Sequence, residues 1–423
     1  MEGGGRRSKV KVAGVSQGVR IALGLALGCG LGLPVLSAQV MLTPSGPAGN
    51  VRIFNTDLAI LSLQEPRKDL PCAVIPVKPS LGFDMRFHAG YEVSIPLKEL
   101  AGSENLLTMI FRVIPEERPD EPVYFTQRVR VPPIEPDAKG DAYLQGAFDV
   151  GEGRYHVDWL MRDRTERVCS YYWDIEARLS PRDRDLAVAL PPASVQPADA
   201  EPFREEPPVA RSQDQAPLNV KVLVNFAPQN ARAATLQPLD IAALVAILRG
   251  IAREPRISKF SIVAFNLQEQ RILYRQDETD RIDFPALGEA LRSLNLGTID
   301  LKRLAQKHGE TQFLTELIQR EIGGEEQPDA LIFAGPKVML EENVPVEALR
   351  EVGDVEYPVF YMNYNLNPQA NPWRDAIGRA VRFFRGYEYT ITRPRDLWVA
   401  LNDVIARALH FKNTRKAAGS GSQ

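Results

Sequence analysis

The chain has 423 residues, 44% of them hydrophobic and 25% charged, with a formal net charge of −3. That length is too great for one ordinary domain and suits two or three, each with a real core. The balanced charge gives no electrostatic reason to expect nucleic-acid binding, and no basic run with interleaved aromatics occurs in the body of the chain.

At the N-terminus, Arg6, Arg7, Lys9, Lys11 and Arg20 precede an apolar stretch from Ile21 to Leu36. Small residues follow at Ser37-Ala38. Basic, then apolar, then small is the order of a secretory signal. The stretch is short of the roughly 20 residues that span a bilayer. Residues 1–38 are therefore expected to be an export signal, with an uncleaved membrane anchor as the rival. Lys9 stands where a twin-arginine signal wants a hydrophobic residue. Cys29, inside the apolar run, fits a lipidation box poorly. Beyond the signal, two cysteines remain, Cys72 and Cys169. In an oxidising compartment they either pair or stay as two separate buried thiols; the sequence leaves both open.

Residues 48–180 read as strands. Leu58–Leu63, Cys72–Val77, Tyr91–Leu97, Leu106–Val113, Val123–Val131, Ala142–Phe148 and Tyr155–Arg162 are short runs rich in β-branched and aromatic residues. Gly151-Glu152-Gly153 reads as a hairpin turn between two of them. About seven strands in this span predict an all-β immunoglobulin-like sandwich. Residues 181–217 are rich in Pro, Ala, Asp and Glu and read as a stiff linker, extended at Pro191-Pro192 and Pro207-Pro208.

From residue 218 to 412, strand-length and helix-length patterns alternate. Val220–Phe226, Phe260–Phe265, Ile272–Tyr274, Ala330–Ala334, Val359–Asn363 and Tyr387–Thr392 read as strands. Helical spacing recurs around Ile241–Ala252, Phe284–Leu294, Phe313–Ile318 and Leu397–Ala408. Alternating β and α segments predict a doubly wound, mainly parallel α/β sheet. Residues 413–423 read as a disordered tail.

Four places in this C-terminal part resemble the von Willebrand factor A family. They are Val222-Leu223-Val224-Asn225-Phe226, Val263-Ala264-Phe265-Asn266, Leu287 to Gly297-Thr298, and Gly386-Tyr387-Glu388-Tyr389 followed by Arg395-Asp396-Leu397. The resemblance implies a cation site built from three loops at the carboxyl ends of the strands, because a hard divalent cation wants oxygen ligands. The family's Asp-x-Ser-x-Ser falls on Asn225, Ala227 and Gln229, its Thr on Thr298, and its later Asp on Ala334. With both carboxylates missing, the site is expected to be degenerate, binding no metal and no other cofactor. Thr298 has an equally good role as a helix cap before Ile299-Asp300-Leu301.

Catalytic signatures are absent from the sequence. The four histidines, His88, His156, His308 and His410, form no zinc pattern, and neither a nucleophile elbow nor a phosphate loop occurs. Asn363, Tyr364, Asn365 and Trp373, with Lys337, form a polar-aromatic group after a predicted strand. They are the candidate partner-binding residues, since exposed Tyr, Trp and Asn suit a contact surface. The expected function is an exported, non-catalytic protein-binding module. A structural subunit of an envelope or secreted assembly is the alternative, and an uncharacterised enzyme a distant third. The expected partner is a protein of unknown identity, with membrane contact only through an uncleaved N-terminal segment.

A metal-free site makes a direct prediction. Saturating Mg²⁺ or Mn²⁺ is expected to leave the melting temperature unmoved, whereas a ligand at 100 times its Kd would add about 2.7 kcal/mol. A cation-dependent rise of several degrees that Asn225→Ala abolishes would refute the metal-free reading.

Overall fold

Strand-forming runs dominate the chain, and in a computed structural model they assemble into three sheets. The structure describes residues 40–42, 53–198, 201–212, 217–229, 233, 235–294, 308–324, 326–338, 340, 342–366, 368–369 and 372–420. The expected signal segment, residues 1–38, lies outside them, as does Thr298.

The first part is a sandwich of two antiparallel sheets. One holds β1 (Val40–Leu42), β5 (Val123–Val131), β4 (Asn105–Pro115), β7 (Gly153–Arg162) and β8 (Val168–Ala177), in that order. The other holds β2 (Ala73–Leu81), β3 (Phe87–Pro96), β6 (Asp141–Val150) and β9 (Val195–Pro197). Period-two alternation explains the packing: Phe87, Ala89, Tyr91, Val93 and Ile95 all turn inward from β3. Tyr91 meets Trp159 and Phe111 edge-on, at 5.2 and 5.5 Å between ring centroids, in the middle of the shared core. A bond between Cys72 and Cys169 ties the start of β2 to β8 across 97 residues of sequence.

Several expectations need correction in this part. Leu58–Leu63 is not a strand. It belongs to helix α1 (Asn55–Leu63), which sets Ile60 and Leu61 on Ile110, Leu160 and Val168 on the outer face of the five-stranded sheet. Gly151-Glu152 is not a hairpin turn, because β6 and β7 lie in different sheets and the chain crosses between them there. A side chain at Gly151 would collide with the Pro191 carbonyl, which is why this corner needs glycine. β1, β8 and β9 were not legible as strands. With them, the expected seven-strand immunoglobulin-like sandwich becomes a five-plus-four arrangement among the described residues.

Residues 181–217 are not a free spacer. β9 completes the four-stranded sheet. Phe203 lies 6.4 Å from Phe226 between ring centroids, Glu206 pairs with Arg249 and Arg253, and Arg211 donates to the carbonyls of Ala252, Glu254 and Asp280. The described residues of this segment form a strap held along the second part, and the described residues from Val40 onward belong to one compact unit.

The third sheet runs β12 (Arg271–Thr279), β11 (Ile257–Asn266), β10 (Leu218–Asn225), β13 (Ala330–Pro336), β14 (Val359–Tyr364), β15 (Tyr387–Ile391). The expected doubly wound fold class is corrected to a mixed sheet: four of its five strand pairings are parallel and one, at an edge, is not. β12 runs antiparallel to β11. The physical reason is the connection: only Leu267 to Gln270 separate the two strands, and so short a turn cannot carry the crossover a parallel pair requires. Helices α2 (Pro238–Ala252), α3 (Phe284–Leu291) and α7 (Pro394–Ser420) share one core with one sheet face. Helices α4 (Gly309–Ile322), α5 (Val346–Glu351) and α6 (Ala376–Phe383) share another core with the opposite face. The expected tail is corrected too, since α7 continues through Ser420.

One charged group interrupts the apolar run of β10. Lys221 is 3% exposed, and its Nζ lies 3.1 Å from Glu321 and 2.8 Å from Glu326. Arg275 also pairs with Glu321, and Ser261 Oγ donates to Glu326. Burial disfavours both carboxylates, yet hydrogen bonds and the Lys221 charge hold their pKa values below the usual range. Removing the lysine takes a cation from both acids, leaving Glu321 with Arg275 and Arg320, and Glu326 with the Ser261 hydroxyl. Lys221→Met is expected to cost roughly 3 kcal/mol of unfolding free energy in urea titrations. A loss under about 1 kcal/mol would mean that the network contributes little.

Candidate functional site

The loops at the carboxyl ends of β10, β13 and β14 gather most of the residues singled out from sequence. Lateral neighbours in parallel strands face the same side, so the register Val224, Ala334, Met362 places all three in the core beneath α2 and α7. Ala334 is therefore a mid-strand core residue, not a loop position. One residue on, Asn225, Gly335 and Asn363 face the opposite side. A Cβ at Gly335 would stand 2.9 Å from that of Asn225, so only glycine lets these strands close up here.

Asn225 is fully buried and accepts from Leu267 N at 3.2 Å through Oδ1. Ala227 is buried as well. Gln229 donates its backbone N–H to Asp240 at 3.4 Å and its side-chain amide to Asn365 at 3.5 Å. Asp240 also accepts from Gln237 N, and this box fixes the start of α2. Burial pushes the Asp240 carboxyl up, against the two backbone donors. The positions thus serve the fold: their polar atoms join loops to helix starts.

Asn363, Tyr364 and Asn365 are corrected as contact residues. All three are at most 1% exposed. Asn363 Nδ2 donates to Glu388 at 3.0 Å, and Glu388 in turn takes Arg374 at 2.7 Å. Three buried atoms in this region, Asn225 Nδ2, Asn363 Oδ1 and Tyr364 Oη, have no hydrogen-bond partner among the described residues. Trp373 differs, at 65% exposed. Its carbonyl accepts from Lys337 Nζ at 2.9 Å. Two residues later, buried Asp375 accepts from Val338 N, Gly378 N and Tyr361 Oη at 2.7 to 2.8 Å. Burial raises the Asp375 pKa, and burial with the nearby Asp375 charge holds the Tyr361 phenol far above its usual value. The loop is therefore clamped below while the indole stands in solvent.

A second polar cluster was not legible in sequence. The β2–β3 hairpin, Gly82 to Arg86, reaches from the sandwich to the helices of the mixed sheet. Phe83 at its tip meets Tyr364 edge-on at 6.1 Å. Behind it, His88 Nδ1 lies 2.7 Å from Asp149 and Nε2 lies 3.0 Å from Asp84, with Arg86 3.4 Å from the other Asp149 oxygen. The near pair, Asp84 and His88, is visible in the sequence, but Asp149 is 61 residues away and comes alongside only through the β3–β6 register. Asp84, His88 and Asp149 could offer three ligand atoms within 4.8 Å of one another. Both ring nitrogens already face carboxylates, however, and a guanidinium sits beside Asp149. The set reads as an ionic clamp on the hairpin. Burial opposes the imidazolium, but the hydrogen bonds and charges of the two aspartates push the His88 pKa up to about 10. For Asp84, burial is outweighed by the His88 hydrogen bond and charge, and its pKa is lowered.

Comparison with known proteins identifies no family. No family model matches the chain, and no curated protein does. Among solved structures, it is similar to a glycosyl hydrolase family 2 member from Bacteroides cellulosilyticus, at 11% identity and TM-score 0.18, over 76% of this chain and 39% of that one. It is similar to a Bacteroides uniformis beta-glucuronidase at 11% identity and TM-score 0.19, over 72% and 39%. A cycloisomaltooligosaccharide glucanotransferase from Paenibacillus sp. gives 10% identity and TM-score 0.18, over 71% and 45%. The chain thus spans less than half the length of these proteins, and such scores carry neither their activity nor their substrates to it. The von Willebrand factor A resemblance is corrected: no family model supports it, and the sheet in that part of the chain is mixed.

The clamp predicts a pH dependence. A histidine pKa raised on folding contributes stability that is complete below its unfolded value of about 6.5 and lost as pH rises toward 10. Wild-type protein should therefore lose more thermal stability between about pH 6.5 and 10 than His88→Gln does. Parallel melting curves for the two would remove the clamp from the account.

Proposed function

We propose that this chain is an exported, non-catalytic protein-binding module whose contact surface centres on Trp373. One observation carries the reading. A large aromatic side chain is 65% exposed two residues before buried Asp375, whose carboxylate is held by Tyr361, Val338 and Gly378. Exposed tryptophan on a pre-organised support suits a partner-binding anchor, because little conformational entropy is lost on contact. Lys337, bonded to the same loop, is 36 residues away in sequence and adds a basic group beside it. Export is supported by the basic-apolar-small order of residues 6–38 and by the Cys72–Cys169 bond, which suits an oxidising compartment. No described helix is long and apolar enough to cross a membrane.

A second reading, a structural subunit of an envelope or secreted assembly, is favoured by a different surface. Ile75, Val77 and Tyr143 are 61%, 40% and 73% exposed on the outer face of the four-stranded sheet. These exposed apolar side chains, set on either side of Glu92 and Ser94 of β3, suit an interface.

Photo-crosslinking in cells separates the two. With a benzoylphenylalanine at position 373 or at position 143, the binding reading expects a discrete adduct from 373. Trp373→Ala is expected to weaken recovery of that partner about tenfold or more. An adduct confined to position 143, in fixed stoichiometry, would instead establish the subunit reading.

A further inference from the structure

The hairpin that carries Phe83 does not fill the space it covers. Between it and the paired helices α2 and α7 lies a cavity of about 390 Å³. Its walls are Phe83 and Met85 from the hairpin, Ala242 and Ala246 from α2, and Trp398 and Leu401 from α7. It is open to solvent on one side, where Leu239 and Ala242 of α2 are exposed, and its lining is mostly apolar. Small side chains make it. Ala242 and Ala246 lie one turn apart on α2, and longer side chains at either would fill the space. At Gly250 a Cβ would meet the Leu401 Cδ1 methyl at 2.4 Å, so a larger residue there would turn that side chain.

The charged groups at the rim are matched within the protein. Asp84 and Asp149 face His88 and Arg86, and Arg249 and Arg253 meet Glu206. A charged ligand would have to break one of these pairs and lose its own hydration, at a cost the apolar walls cannot offset. An uncharged apolar molecule breaks none of these pairs by entering. An apolar cavity of roughly 150 Å³ already admits a benzene-sized guest, and this one is more than twice that size.

We propose that the cavity under the Phe83 hairpin is a binding site for an uncharged apolar small molecule of two or three rings, or a short aliphatic chain. The site is independent of the Trp373 surface and belongs to the junction between the sandwich and the mixed sheet. The hairpin forms its roof, the His88 clamp holds the roof in place, and Trp398 in the wall reports on what enters.

The test uses N-phenyl-1-naphthylamine, an uncharged fluorescent probe, with the whole protein. Saturable binding is expected, with energy transfer from tryptophan to the probe that falls in Trp398→Phe. Ala242→Trp should fill the cavity and weaken binding at least tenfold, while Tyr143→Ala, on the outer face of the four-stranded sheet, should leave it unchanged. Ala246→Leu provides a second filled variant, and a cooperative melting transition certifies the fold of each. The proposal is overturned if folded wild-type protein shows no saturable binding, if both filled variants bind as wild type does, or if Tyr143→Ala abolishes binding.

Discussion

Strand β10 is covered on both faces, and much of the mixed sheet follows from that burial. Val220, Val222 and Val224 pack beneath α2 and α7, while Leu223 faces the helices on the other side. A strand buried on both faces has no solvent for its edge groups or its side chains, so β11 and β13 must pair with it on either side. The same constraint leaves Lys221 no route to water, which is why its neighbours include two glutamates. The loops leaving the carboxyl ends of β10, β13 and β14 are then brought close together. Their polar side chains bond mainly to neighbouring elements, Asn225 to Leu267 and Asn363 to Glu388, while Trp373 is left in solvent.

The two parts of the compact unit are joined by more than a linker. Hairpin residues 82–86 of the sandwich reach onto the helices, Arg395 of α7 reaches back to Asp185, and the strap from residue 201 to 212 runs along the helical face. Phe83 contributes apolar contact; the Asp84–His88–Asp149 set contributes direction, because an imidazole bonded through both nitrogens holds the hairpin at one angle. Apolar contact is tolerant of small shifts, whereas hydrogen bonds are not. Packing therefore brings the parts together and the clamp sets their registration.

These features divide the functional reading between two surfaces with different physics. At Trp373 an exposed aromatic stands two residues before buried Asp375. Beneath Phe83 an apolar hollow has a charged rim already matched. Asn363 and Asn365 belong to neither surface, and their burial shows that an Asn- and Tyr-rich loop can serve the fold alone. Asn365 N donates to the Ile391 carbonyl at 3.0 Å, closing the crevice on the β15 side.

Elements whose signal is local could be read from the residues alone. Apolar runs marked β10, β11, β13 and β14, and helical spacing marked α2, α4 and the body of α7, because burial on a fixed face imposes a period on the chain. Trp373, and Cys72 with Cys169, also stood out as residues worth locating. Everything that depends on which strands lie side by side came only with the tertiary structure. The strand-like composition of Leu58–Leu63 yielded to packing across the outer sheet face, and β8 and β9 became strands because neighbours offered them hydrogen bonds. Whether Asn363 and Tyr364 face water, and whether Asp149 meets His88, depend on contacts between residues far apart in the chain. Such contacts leave no periodic trace in a single sequence, because each is specified by the register of a whole sheet and not by the residues that touch.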